Sequence, residues 1–234
     1  MPRKYIEGNV ILRDLYLTSL PDFLSNVNIE GFFICSRNKL TSLQFAPTIE
    51  GGLFDCSSNH ITSLSGAPSS VEGMFDCKKN RLESLEGGPT KVHHFNCYNN
   101  LLTSLQFAPT SVTGMYSCGY NQLKSLKFAP THIEEGGLFD CRNNKLKTLE
   151  FAPTRVIGSF NCSNNQLESL EGAPNYVEGR FECSNNLLRS IKGIPQFIGQ
   201  DFTYSTADDV HFTEKEIRAV SDIKGKVIYR QYKE

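Results

Sequence analysis

From Gly31 to Asn186 the apolar and polar positions recur in one fixed order. An aromatic residue stands two before each cysteine, from Phe33 and Phe54 through Phe95 and Tyr116 to Phe181. The cysteines, Cys35, Cys56, Cys77, Cys97, Cys118, Cys141, Cys162 and Cys183, are 20 to 23 residues apart. Asn follows three residues after each cysteine, Leu or Ile five and eight after, Pro twelve after, and a Val or Ile then closes the unit. The aromatic-x-Cys alternation predicts a short half-buried strand. Ala46-Pro47 and its equivalents take the preceding residue out of the helical region and remove a backbone donor. The return segment is therefore expected to be irregular, extended or 3₁₀, and not α-helical. Fixed-period self-similarity of this kind predicts a β-rich solenoid that grows by stacking one unit on the next.

The two ends depart from the pattern. Residues 1–30 read as a degenerate capping repeat: Val10, Leu12, Leu17, Leu20, Leu24 and Val27 keep the apolar register, but Leu12 stands at the cysteine position and Leu15 at the Asn position. Residues 31–204 hold eight full units. Residues 205–234 change character. Thr213-Glu214-Lys215-Glu216 is a capping box, with Phe212 and Ile217 placed as a hydrophobic staple. Ile217, Val220 and Ile223 fit one helix face, Gly225 fits a helix stop, and Lys226–Arg230 reads as a strand. This segment is expected to form a small helix-plus-strand cap over the sheet edge.

The segment Val92-His93-His94-Phe95-Asn96-Cys97-Tyr98-Asn99-Asn100-Leu101-Leu102 matches the L-x-x-L-x-L-x-x-N-x-L spacing, and the chain resembles the leucine-rich repeat proteins over about residues 10 to 205. The other units carry extra residues before the Phe, usually with Gly, as in Val71-Glu72-Gly73-Met74-Phe75. Gly there suits a bulge or turn at the strand entrance. The resemblance implies an arc with a parallel concave sheet and an irregular convex side. The Leu-Thr-Ser-Leu and Ala-Pro segments are similar to short bacterial effector repeats. The Gly-x-Phe-x-Cys-x-x-Asn-x-Leu phrase more closely resembles repeat proteins of tailed bacteriophages, which implies a host-cytoplasmic location.

Three columns carry specific expectations. The Asn residues are placed to form a ladder that satisfies backbone groups of their own and neighbouring turns. Ser or Thr seven after each cysteine is read as hydrogen bonding to its own turn. Phe alternates with Gly ten after the cysteine, which is read as peripheral packing. The cysteines occupy a buried repeat position and are read as reduced structural thiols, disulfides or metal binding being the alternatives, which favours a reducing cytosolic setting. The net charge of −1 argues against a general polyanion binder, so no nucleic-acid partner is expected. No apolar run approaches a membrane span and no apolar stretch backs the charged start, so neither a membrane partner nor a secretory signal is expected.

Strand alternation assigns the outward face. Three before the cysteine stand Phe32, Leu53, Met74, His94, Met115, Leu138, Ser159 and Arg180, a row apolar across much of its length that the core does not need. Asp76, Asn96 and Asp140 stand one before, and Tyr98, Asn99 and Tyr120 just after. Met74, Asp76, His94, Asn96, Tyr98, Asn99, Met115, Tyr120, Leu138 and Asp140 are therefore the candidate concave-face binding residues for a protein partner. The sequence contains no nucleophile motif, phosphate loop or metal-ligand spacing. The reading is a non-enzymatic binding module without cofactor, metal or catalytic residue. Its alternatives are a structural component of a virion or other assembly, and an extracellular adhesion or carbohydrate-binding protein.

Overall fold

The computed structural model describes residues 4–109 and 111–231. The chain divides into two compact units, Met1–Val112 and Thr113–Glu234. Each is a β-solenoid of stacked parallel strands.

In the first unit every turn contributes two strand segments. One set carries the aromatic column: Val10, Phe33, Phe54, Phe75 and Phe95 pair in register from strand to strand. Phe33, Phe54, Phe75 and Phe95 are buried, and their rings pack with centroids 5.3, 5.3 and 6.1 Å apart. The other set comprises the closing residues. Lys4–Ile6, Val27–Ile29 and Thr48–Ile49 form one parallel sheet, and Val71, Val92 and Val112 continue the same role farther along. The sequence reading assigned no strand to these closing residues. Their Val and Ile side chains line the core while their backbones find identical partners in the turns on either side, so they pair as well.

Backbone groups inside the coil are satisfied by the Asn column. Asn59 Nδ2 donates to the carbonyls of Cys35 and Cys56 at 3.0 and 3.1 Å, and its Oδ1 accepts from Leu40 N at 3.0 Å. Asn165 does the same with Cys141, Cys162 and Leu146 in the second unit. The expected ladder is thus present. The Ser/Thr column also behaves as expected: the hydroxyls of Ser63, Ser84, Ser104, Ser125, Thr148, Ser169 and Ser190 accept from the backbone N–H two residues on.

The Phe/Gly column has a backbone cause that periodicity did not reveal. Ala46 N donates to Leu43 O, and the same i to i+3 bond recurs along the column. The residue before that N–H has positive φ in every unit, from 68° at Phe107 and Phe151 to 91° at Gly66. A positive φ at this place is what a type II turn requires, and Gly meets it without steric cost. A second left-handed column lies two after the cysteine and includes Lys79, Asn99, Tyr120 and Asn143.

At the strand entrance the Gly residues allow neighbouring turns to touch. A Cβ on Gly73 would lie 1.8 Å from Gly52 O, and the strand register shifts between Val71 and Met74. The expected bulge is present there, and a second occurs between Ile133 and Gly137.

The second unit repeats this plan. Tyr116, Phe139, Phe160, Phe181 and Phe202 pair in sequence. The closing residues Ile133, Val156, Val177, Ile198 and Ile223 do the same. On the outer side Arg155 lies over the Tyr176 ring, which stacks on Phe197 at 4.7 Å. Ile191 is half-buried where the other units bury a Leu.

The C-terminal helix is shorter than its apolar spacing suggests. Thr213 and Glu216 form the expected capping box, but the helix spans only Glu214–Val220 and ends at an extended Ser221. Ile217 is buried and Val220 is exposed. Ile223 is not on the helix: it pairs with Ile198 as the closing residue of a further turn. Gly225 is not the helix stop; it lies between the paired strands Asp222–Ile223 and Val227–Tyr229. Val227–Tyr229 adds in parallel to Phe202–Thr206. Pairing with the preceding turn outweighed local helix propensity here. No helix among the described residues is long and apolar enough to cross a membrane.

Candidate protein-binding face

The candidate residues fall in both units. In the first, Met74 pairs across the strands with His94, and Asp76 with Asn96. Phe32 is 43% exposed, and Leu53, Met74 and His94 are half-buried. They form an outward row beside which the His93 and His94 rings lie 4.1 Å apart. Tyr98 is half-buried and Asn99 is exposed. In the second unit Met115 and Leu138 are half-buried, and Tyr120 is 45% exposed.

The column one before the cysteine is polar and buried at the three candidate positions. Asp76, Asn96 and Asp140 are only 4%, 7% and 3% exposed. Asp76 Oδ1 accepts from Lys78 N at 3.0 Å, Asn96 Oδ1 from Tyr98 N at 3.2 Å, and Asp140 Oδ1 from Arg142 N at 3.1 Å. Asp55, Asn161 and their own turns repeat the contact. These are Asx turns that end the strand, a structural use of short polar side chains. Asp76, Asn96 and Asp140 thus each hold their own turn as well as standing on the candidate face.

Burial pushes the carboxyls of Asp76 and Asp140 above the ordinary aspartate value, and hydrogen bonds and charge from Lys78 and Arg142 pull partly the other way. The Lys78 ammonium lies 2.8 Å from Asp76 Oδ2, and Arg142 Nε lies 3.4 Å from Asp140 Oδ2. Arg13 reaches Asp55 at 3.4 Å. The sequence reading did not single out these cations as carboxylate partners. The signal was there for two of them: Lys78 and Arg142 follow Asp76 and Asp140 by two residues, so each is the residue whose N–H closes the Asx turn.

Asn99 likewise has a backbone reason, its φ of 57°. Asn tolerates the left-handed region better than most residues. Tyr120 holds the same conformation, φ 52°, without that tolerance.

All eight cysteines are free thiols and fully buried. Burial pushes their ionisation upward, for example at Cys77 and Cys118, so the nucleophilic thiolate is disfavoured. Several donate to a carbonyl of the next turn, as Cys77 Sγ does to Asn96 O at 3.3 Å. The outward row offers apolar contact, amide and imidazole hydrogen bonding and paired charge. Comparison of the chain with family models and with curated proteins gives no match.

Proposed function

We propose that the protein is a non-enzymatic binding module of the leucine-rich repeat type, using the outward, concave face of its strands to hold a protein partner. The observation that carries this reading is the row Phe32, Leu53, Met74 and His94. The core is already filled by the Phe, Cys and Leu columns, so Phe32, Leu53 and Met74 present apolar surface outside it, with the His94 imidazole at the end of the row. Tyr98 and the Lys78–Asp76 pair border the row, as aromatic and polar residues border a binding patch. The resemblance of the repeat phrase to tailed-bacteriophage proteins supports a host-cytoplasmic setting, with a host or viral protein as partner.

The test is affinity capture from host lysate with quantitative mass spectrometry, using wild type and the double variant Leu53→Lys/Met74→Lys. A partner enriched by wild type and lost from the folded variant supports the reading. Identical partners in both reject this placement of the site. Stable recovery of the protein in purified particles, with no separate partner, favours a structural component instead.

A further inference from the structure

The type II turns hold two unfavourable features in one place within the second unit. Phe128 and Phe151 take φ values of 74° and 68°, where Gly66, Gly87, Gly172 and Gly193 serve the same turn without penalty. A non-Gly residue in this region costs about 1–2 kcal/mol. The rings are 50% and 51% exposed, so their burial does not fully account for the choice. The same two turns carry Lys124, Lys127, Lys145 and Lys147, all exposed, against the exposed Glu150 beside Phe151 and Glu168 in the following turn. Lys124 and Lys147 occupy the same column in successive turns, an arrangement in which like charges repel. Lys127 Nζ lies 5.2 Å from the Phe128 ring centroid, and Lys145 Nζ donates to Gln122 Oε1 at 3.1 Å. Among the described residues of this unit, ion pairs such as Lys192–Glu171 at 2.6 Å involve other cations.

We propose that this patch is a docking site for an anionic lipid surface. Lys124 and Lys147 repel in the free protein, and an anionic surface relieves that repulsion while covering the exposed rings. Four lysines select negative charge, and aromatic rings at the tips of turns suit the headgroup boundary of a bilayer. The patch is a row of turn tips. An acidic peptide binds best in a groove or along a sheet edge, and the cavities lined by Gln196 and Arg218–Ile223 and by Ser184, Asn185, Arg230 and Gln231 lie elsewhere. This site is separate from the strand face proposed above. It departs from the expectation of no membrane partner, which rested on the lack of a spanning segment.

The experiment is co-sedimentation with vesicles of pure phosphatidylcholine or of phosphatidylcholine with roughly one-third phosphatidylserine, in which anionic headgroups attract basic patches. Wild type is expected to sediment only with the anionic vesicles, and less so as salt is raised. Lys124→Glu/Lys147→Glu should lower the partition coefficient more than about tenfold, since each lysine near the surface is worth roughly fivefold. Phe128→Gly/Phe151→Gly installs the residue that other turns use, so it should keep the fold while also weakening binding. Lys192→Glu serves as the control and should sediment like wild type. No sedimentation, equal sedimentation with both vesicles, or unchanged binding by folded variants overturns the proposal. Displacement of the protein from vesicles by stoichiometric polyglutamate assigns the patch to an acidic protein instead, and overturns it too.

Discussion

Asp140 shows how much a single outward position depends on its neighbours. Alternation places it on the outer face, and alternation alone suggests exposure. Adjacent parallel strands lie only about 4.7–4.9 Å apart, so each short side chain is flanked by its counterparts in the next turns. Asp140 is buried beside Ser117 and Asn161, whereas Tyr120 extends beyond its turn. The side of the sheet was thus legible from residue order, and depth was not, because depth is set by side-chain length against the stacking distance. The carboxyl of Asp140 is raised above its ordinary value by burial. The folded state therefore binds its proton more tightly than the unfolded chain does. Stability is lost as pH climbs from the ordinary value of 3.8 through the raised folded value, and the penalty is complete above it. Asn161 fills the same column and accepts the same bond. Asp140→Asn should therefore be more stable than wild type near about pH 7, with the gain vanishing near about pH 3. Urea midpoints at the two pH values check this; a loss of stability near about pH 7 that is absent near about pH 3 would mean that the Arg142 pair outweighs burial.

The type II turn is the element whose logic the sequence half conceals. The Pro after it was readable as a helix breaker that also restrains the preceding Ala, and its Ser or Thr as a local acceptor. The Phe-or-Gly alternation pointed only to tolerance, because φ does not appear in a hydrophobic pattern. Once φ is known the two occupants become unequal. A Cβ on Gly172 would meet Glu150 N at 2.4 Å, with φ at 83°. Gly172→Ala should cost about 1–2 kcal/mol. Phe151→Gly, one turn earlier, should change stability by less than about 1 kcal/mol, as relief of strain offsets the lost ring contacts and the added chain entropy. Denaturation midpoints of the pair decide it: equal losses would mean that the left-handed column is not the constraint. The C-terminal helix teaches the same lesson from the other side. Its capping box was correct from sequence, but Ile223 left the helix because a matching Ile198 awaited it in the preceding turn.

At the scale of the whole chain, stacking was the most legible property, since eight cysteines in one register leave few other readings. The division into Met1–Val112 and Thr113–Glu234 left no mark in composition or linker, because the repeat continues through it. A coil held by nearest neighbours has a distinctive energetic signature. Asn165 and Asn186 both donate to Cys162 O, whereas Asn144 and Asn186 share no acceptor. Each single Ala substitution should cost roughly 1–3 kcal/mol. The costs of Asn144→Ala and Asn186→Ala should add within about 0.5 kcal/mol, and those of Asn165→Ala and Asn186→Ala should not. A double-mutant cycle in urea measures both, and matching coupling energies in the two pairs would contradict a ladder built of shared rungs.

The column of eight sealed cysteines also gives the chain a coordinate system. Each turn from Cys35 to Cys183 carries one sulfur that an alkylating reagent reaches only after that turn has opened. Timed labelling followed by peptide mapping therefore reads out which part of the coil frays first and how far the fraying spreads. The protein is its own ruler for local unfolding, with a graduation at every turn and no engineered label.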